Sequence, residues 1–273
     1  MTPRYERRAT LIKIEGMRAE RGDRLVLRDI DVEVKDVVRS DVADQGQVVG
    51  VLGPSGAGKT TLLRVLAGLD APSRGRVLIG ESLQPVRAGM VGVVFQSYPL
   101  FEHRSVLGNL VVAARRTGAG DGEARARALL DRFGLGDRGD AWPGELSGGQ
   151  RQRVAILQQL LCGHTYLVMD EPFSGLDPLS KQHACELIAE VARMDERNTI
   201  VIVTHDIREA VKVSDTLWLI GRDVAPSGEP VPGSRIVQTH DLIERGLAWQ
   251  PGIERTPQFD GFVREIEDRF HTL

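Results

Sequence analysis

Long apolar runs are missing from this chain. Among its 273 residues no stretch approaches the roughly eighteen consecutive apolar positions that a bilayer-spanning helix needs. The opening Met1-Thr2-Pro3-Arg4-Tyr5-Glu6-Arg7-Arg8 has no apolar centre of a signal peptide. The expectation is a soluble, cytosolic chain, and any work on a membrane would need a second chain to supply the membrane part. Cysteine is scarce: Cys162 and Cys185 each sit in an apolar, helix-like stretch. That excludes a disulfide framework and points to buried thiols in a reducing compartment. A net charge of -3 lacks the basic excess of a nucleic-acid binder. His103, His164, His183, His240 and His271 show no metal-ligand spacing, so no zinc is expected. There is no internal repeat and no heptad array, and no aromatic residue lies between Thr10 and Phe95.

What is present alternates between strand and helix. Leu11–Met17 and Leu25–Val34 read as strands joined by a turn at Arg21-Gly22-Asp23. Polar, acidic Lys35–Gln47 reads as a loop. Val48–Leu52 is continuously apolar, as a strand inside a parallel sheet should be. A helix is predicted over Thr60–Leu69, with strands over Val77–Ile79 and Met90–Phe95. Helical periodicity follows over Val106–Arg115, Glu123–Phe133 and Ser147–Cys162. Strand, helix (Lys181–Met194), strand (Thr199–Val203), short helix and strand (Thr216–Ile220) then alternate, which argues a mostly parallel α/β sheet. Arg222–Arg235 reads as loop. Phe259, Phe262, Val263, Ile266 and Phe270 fall at amphipathic helical spacing.

Gly53-Pro54-Ser55-Gly56-Ala57-Gly58-Lys59-Thr60, followed by Thr61, lies between a strand and a helix and has the spacing of a phosphate loop. Its glycines let the backbone wrap phosphate oxygens, and the helix N-terminus points N–H groups and its dipole at an anion. Lys59 would reach the β- and γ-phosphates, and the Thr60 hydroxyl would ligate Mg²⁺. Apolar Tyr166–Met169 ends at Asp170, suited to holding that metal through water. Strand alternation would turn Glu171 the other way, as general base or orienter of the attacking water. Leu146-Ser147-Gly148-Gly149-Gln150 opens a second helix N-terminus and a second anion site. Five specified residues in a row arise by chance on the order of once in a thousand chains or fewer. This motif, more than the phosphate loop, therefore narrows the family.

The ordered series of phosphate loop, Gln96, Leu146–Gln150, Tyr166–Glu171 and His205 resembles the nucleotide-binding subunit of an ATP-binding cassette (ABC) transporter over residues 11–221. The resemblance implies an α/β fold of the P-loop NTPase (RecA-like) kind. Its parts would be a mostly parallel sheet core, an antiparallel β edge subdomain and an all-helical insertion over 97–153. The ATPase domain would span 9–221, and 222–273 would form a C-terminal extension ending in the amphipathic helix. The resemblance also implies that Ser147, Gly148, Gly149 and Gln150 of one protomer close over ATP held by another protomer's phosphate loop. Gln96 would contact Mg²⁺ or the attacking water and report nucleotide state to the insertion. Asp177, in Ser174-Gly175-Leu176-Asp177, would cross the dimer interface, and His205 would hydrogen-bond the γ-phosphate.

One departure stands out. The position that stacks adenine with an aromatic ring in the family corresponds here to Arg21. A guanidinium can stack on a π-face, so the choice between ATP and GTP is left open. Tyr98, Leu100 and Phe101 would form an apolar socket for the permease. The implied partners are a transmembrane permease, a second ATPase subunit (a homodimer or a paired chain) and a solute-binding protein acting through the permease. The implied place is the cytoplasmic face of the bacterial inner membrane. The finer likeness is to importers of nitrate, sulfonate, taurine or amino acids. The competing classes are a soluble ABC ATPase acting on DNA or ribosomes and the ATPase of an exporter. One cassette, no coiled coil and no basic stripe count against the first of these.

Overall fold

The computed structural model describes residues 5–39, 45–118, 120–270 and 273. In chain order its elements are β1 (Tyr5–Arg21), β2 (Arg24–Arg39), β3 (Gln47–Leu52), α1 (Lys59–Leu66), β4 (Arg74–Ile79), β5 (Gln84–Pro85) and β6 (Gly92–Val94). Then come α2 (Val106–Ala114), α3 (Gly122–Arg132), α4 (Gly148–Leu161), β7 (Tyr166–Asp170), α5 (Pro178–Ala192), β8 (Thr199–Thr204), α6 (Ile207–Val213), β9 (Thr216–Gly221), β10 (Arg235–Asp241) and α7 (Pro257–Phe270).

Six strands form the main sheet in the order β10-β9-β3-β8-β7-β6. Every pairing in it is parallel except β10 on β9. Central β3 and β8 are buried at every residue. Their unbroken Val/Ile runs are what a strand covered on both faces requires. A second, antiparallel sheet of order β2-β1-β4-β5 lies beside it. Leu27, Ile30 and Val77 from that sheet share one core with Leu62 and Leu63 of α1 and Val51 of β3. The opposite face of the main sheet packs on α2, α3, α4 and α5 through Leu110, Leu130, Ile156, Leu157 and Ile188. Among the described residues, no helix is long and apolar enough to cross a membrane.

Buried Asn109 pins the loop that leads into α2. Its Oδ1 accepts from the Phe101 amide at 2.7 Å, and its Nδ2 donates to the Phe101, Arg104 and Ser105 carbonyls. Further on, Trp142 precedes a short 3-10 turn (Pro143–Glu145) leading into α4, and it is 51% exposed.

The chain after β9 is part of this architecture. β10 extends the main sheet, and α7 buries Phe259, Phe262, Val263 and Ile266 against Leu217, Leu219 and Leu242. Each such side chain contributes roughly 1.5–3 kcal/mol on full burial, enough to fix the helix on the core.

Several elements differ from the sequence reading. Lys35–Arg39 belongs to β2 and is not loop, because β1 runs back to Tyr5 and supplies partners up to Arg39. Of the remainder of that expected loop, 40–44 lies outside the described residues and Gln47 already belongs to β3. Strand β6 covers only Gly92–Val94 of the expected Met90–Phe95. Helix α1 stops at Leu66, short of Leu69. Helix α5 begins at Pro178 and not Lys181, because Asp177 caps it: Oδ1 accepts from the Leu179 and Ser180 amides at 3.0 and 3.1 Å. Strands β5 and β10 were not anticipated.

Candidate functional site

The phosphate loop runs from the end of β3 to α1. Gly58 caps α1 in the left-handed region (φ 88°), with no side chain satisfying the first-turn amides. A Cβ there would meet Leu27 Cδ2 at 2.7 Å, so the left-handed backbone favours glycine and any larger residue would have to displace the Leu27 side chain. Lys59 follows, 7% exposed, with its ammonium donating to the Gly53 carbonyl at 2.7 Å and the Pro54 carbonyl at 3.2 Å. The loop opens onto a cavity of about 450 Å³ lined by Ser55, Gly56, Gly58, Lys59, Thr60 and Thr61, together with Arg21, Arg24, Val26, Glu171 and Arg222.

Glu171 reaches this cavity by a route the sequence did not show. Strand β7 ends at Asp170, and Glu171 itself adopts a left-handed backbone (φ 50°). Its amide donates to the Val203 carbonyl at 2.7 Å, tying the turn to β8. A non-glycine residue held in that region costs on the order of 1–3 kcal/mol, and such strain concentrates at functional sites. The turn, rather than pleat alternation, thus aims the side chain. One carboxylate oxygen, Oε2, accepts from the Thr204 hydroxyl (3.0 Å) and the His205 amide (3.3 Å), and it lies 2.9 Å from His205 Nδ1. The other, Oε1, faces the Lys59 ammonium across 3.9 Å. The structure therefore brings Lys59, Glu171 and His205 together.

Burial sets the electrostatics. It lowers the proton affinity of Lys59, with the charges of Glu171 and Asp170 acting the other way. It raises the Asp170 carboxyl, as does the nearby Glu171 charge, while Lys59 opposes both. Asp170 has no hydrogen bond among the described residues, so a divalent cation would offset the cost of its burial. Of the other two expected donors, Thr60 lines the cavity, whereas Gln96 lies outside its lining, bonded to Ser174. Oxygen donors of this kind suit Mg²⁺, which draws most of its ligands from water and phosphate.

The remaining expected site residues lie elsewhere. Gln96 donates from Nε2 to the Ser174 hydroxyl at 3.2 Å, joining the end of β6 to the turn after β7. Ser147 caps α4 in a reciprocal box: its hydroxyl accepts from the Gln150 amide at 3.3 Å, and Gln150 Oε1 accepts from the Ser147 amide at 2.9 Å. A Cβ at Gly148 or Gly149 would meet nothing within 4 Å. Neither glycine, nor Ser147, Gln150, Gln96 or Asp177, lines the cavity. The carboxylate of Asp177 is engaged in capping α5, and its hydrogen bonds to Ser180 hold its proton affinity low. Of the expected apolar socket only Phe101 is well exposed, at 47%. Tyr98 and Leu100 pack in part against the main core, and burial pushes the Tyr98 hydroxyl up to about 12.

Sequence reasoning missed Thr204, Arg24 and Arg222. Thr204 directly precedes His205, and Arg24 stands opposite Arg21 across the β1–β2 hairpin, so both had a local signal. Arg222 had none.

The chain is similar to known proteins. A family model for the ABC transporter matches residues 40–174. An aliphatic sulfonates import ATP-binding protein of Pseudomonas aeruginosa is 38% identical over 267 residues, covering 94% of this chain and 92% of that protein. A sulfate/thiosulfate import ATP-binding protein of Gloeobacter violaceus is 36% identical over 275 residues, covering 96% of this chain and 76% of that protein. Among solved structures, cbiO1 from Clostridium perfringens, part of the ABC transporter complex cbiONQ, superposes with a TM-score of 0.71 at 25% identity, over 95% of this chain and all of that one. With phosphate loop, Glu171 turn and capped glycine motif in family order on the family's fold, the chain belongs to the ABC transporter family as an ATP-binding, ATP-hydrolysing subunit.

Proposed function

We propose that this ATPase powers the import of a small anionic solute, of the sulfonate or sulfate class, through a separate membrane permease. On this reading it sits at the cytoplasmic face of the membrane, and a solute-binding protein acts through the permease. Two subunits close head to tail on two ATP molecules, each pairing its phosphate loop with the partner's Ser147–Gln150 face. The importer reading rests on the import ATP-binding proteins to which the chain is similar. The catalytic reading is carried by one observation: Glu171, turned by its left-handed backbone between Lys59 and His205.

Each residue has a part. The α1 amides and Lys59 bind the β- and γ-phosphates. Two donors and the His205 ring crowd Glu171 Oε2, so Oε1 is the oxygen that orients the attacking water and accepts its proton. The water oxygen bonds to the γ-phosphorus, the bond to the β–γ bridging oxygen breaks, and ADP and phosphate result. His205 contacts the γ-phosphate, and Thr204 fixes the Glu171 carboxylate. Thr60, Gln96 and Asp170 would hold Mg²⁺, which supplies charge neutralisation at the phosphate oxygens. Loss of the γ-phosphate removes the link between the two subunits, and that release is the mechanical output.

Glu171→Gln tests this. Turnover should fall by about 100-fold or more while ATP binding persists. Size-exclusion chromatography should then show an ATP-dependent dimer that wild type forms only transiently. Normal turnover by this variant would remove Glu171 from its assigned role.

A further inference from the structure

The cavity beside the phosphate loop is walled in part by chain from beyond β9. Asp223, immediately after Arg222, accepts from Arg28 of β2 and from Arg235 of β10, at 2.6 and 2.9 Å in the latter pair. The Ser234 amide donates to the Val26 carbonyl and the Arg28 amide to the Ser234 carbonyl, both at 2.8 Å. The segment after β9 is thereby sewn to β2, and Arg222 lines the same cavity as the hairpin pair Arg21 and Arg24. Arg18, Arg28 and Arg235 nearby are each bonded to a carboxylate. By contrast, the side chains of Arg21, Arg24 and Arg222 have no hydrogen bond or ion pair among the described residues. Asp70, bonded to Arg64, acts on Arg21 only at longer range. Three arginines whose side chains make no bond among the described residues thus line one cavity.

A guanidinium is planar and weakly hydrated, and nucleobases stack on it. It donates only. Guanine presents two adjacent acceptors, N7 and O6, where adenine presents one acceptor beside a donor. We propose that Arg222, with Arg21 and Arg24, forms a guanidinium wall that binds the nucleoside half of the nucleotide and admits GTP as readily as ATP. This rests on the phosphate-loop reading above and adds the residues that hold the base.

The test is calorimetric titration of the full chain with Mg-ATP, Mg-GTP and inorganic tripolyphosphate, which lacks base and sugar. GTP should bind within about threefold of ATP. Arg222→Gln should weaken both nucleotides by about fivefold, leave tripolyphosphate unchanged, and unfold at the wild-type temperature. A preference for ATP above tenfold would overturn the proposal. So would an Arg222→Gln variant that leaves nucleotide binding intact or weakens tripolyphosphate equally. If that variant does not fold, Arg24→Gln is read by the same criteria. Lys59→Ala keeps the two readings apart. Loss of all three ligands in that variant upholds the phosphate loop even where the wall fails, and retained binding would count against the loop itself.

Discussion

Two helix N-termini in this chain carry glycines, and they are built to opposite plans. At α1 the cap is Gly58, left-handed and uncapped by any side chain, and a Cβ there would press on the Leu27 side chain of β2. At α4 the cap is Ser147, its end satisfied by the reciprocal hydrogen bonds with Gln150, while Gly148 and Gly149 face open space. The first glycine is demanded by the fold of its own chain, which leaves the helix amides for a ligand. The second pair is demanded by nothing within the chain. On the proposed reading, that open space is where the partner's ATP would approach.

That contrast can be broken in graded ways. The largest effect belongs to Lys59→Ala, which removes the cation from the first site. Phosphate release should drop by about 100-fold or more, and near-normal release would dissolve the distinction between the two helix ends. Gly58→Ala comes next. It forces a Cβ into Leu27 at an unfavourable φ, so urea denaturation should show a loss of roughly 2–3 kcal/mol. Gly148→Ala should do the reverse. Stability should stay within about 0.5 kcal/mol of wild type, while turnover falls because the open face is blocked. A stability loss matching Gly58→Ala would mean that this glycine also serves its own fold.

A third helix start gives the smallest effect. At α6, burial and a hydrogen bond shared with Asp206 push the Glu209 carboxyl up to about 7. The folded value lies above the ordinary 4.5. The associated stabilisation is therefore complete below pH 4.5 and is lost as pH rises through about 7. Thermal unfolding of Glu209→Gln should vary less across that window than wild type. An unchanged profile would show that Glu209 is not the group responsible.

Much of this was legible in the residues. The buried strands β3 and β8 announce themselves by unbroken apolar runs, and the phosphate loop by spacing and context. The illegible parts share a cause, since each depends on a partner distant in sequence. Lys35–Arg39 is polar enough for a loop, yet it is strand because β1 extends to meet it. Arg235–Asp241 shows little periodic burial because it lies at the sheet edge against β9. The direction of Glu171 depends on a left-handed turn fastened to Val203, Thr204 and His205, which alternation within β7 cannot foretell. Arg222 reaches the cavity only through hydrogen bonds between Arg28, Asp223 and Arg235. Asp177-Pro178 was a readable helix start, a capping carboxylate followed by proline, which the family pattern overshadowed.

Trp142 has an optical consequence. Of the chain's three indoles, Trp218 is sealed in the core, and Trp249 packs against the ring of Tyr5 with centroids 6.1 Å apart. Trp142 alone exposes about half its surface, one short turn before Ser147. A water-borne quencher such as acrylamide will therefore reach its emission first. The protein carries a native fluorophore beside the face that a second subunit would cover, and shielding of that emission by ATP would report closure without any attached label.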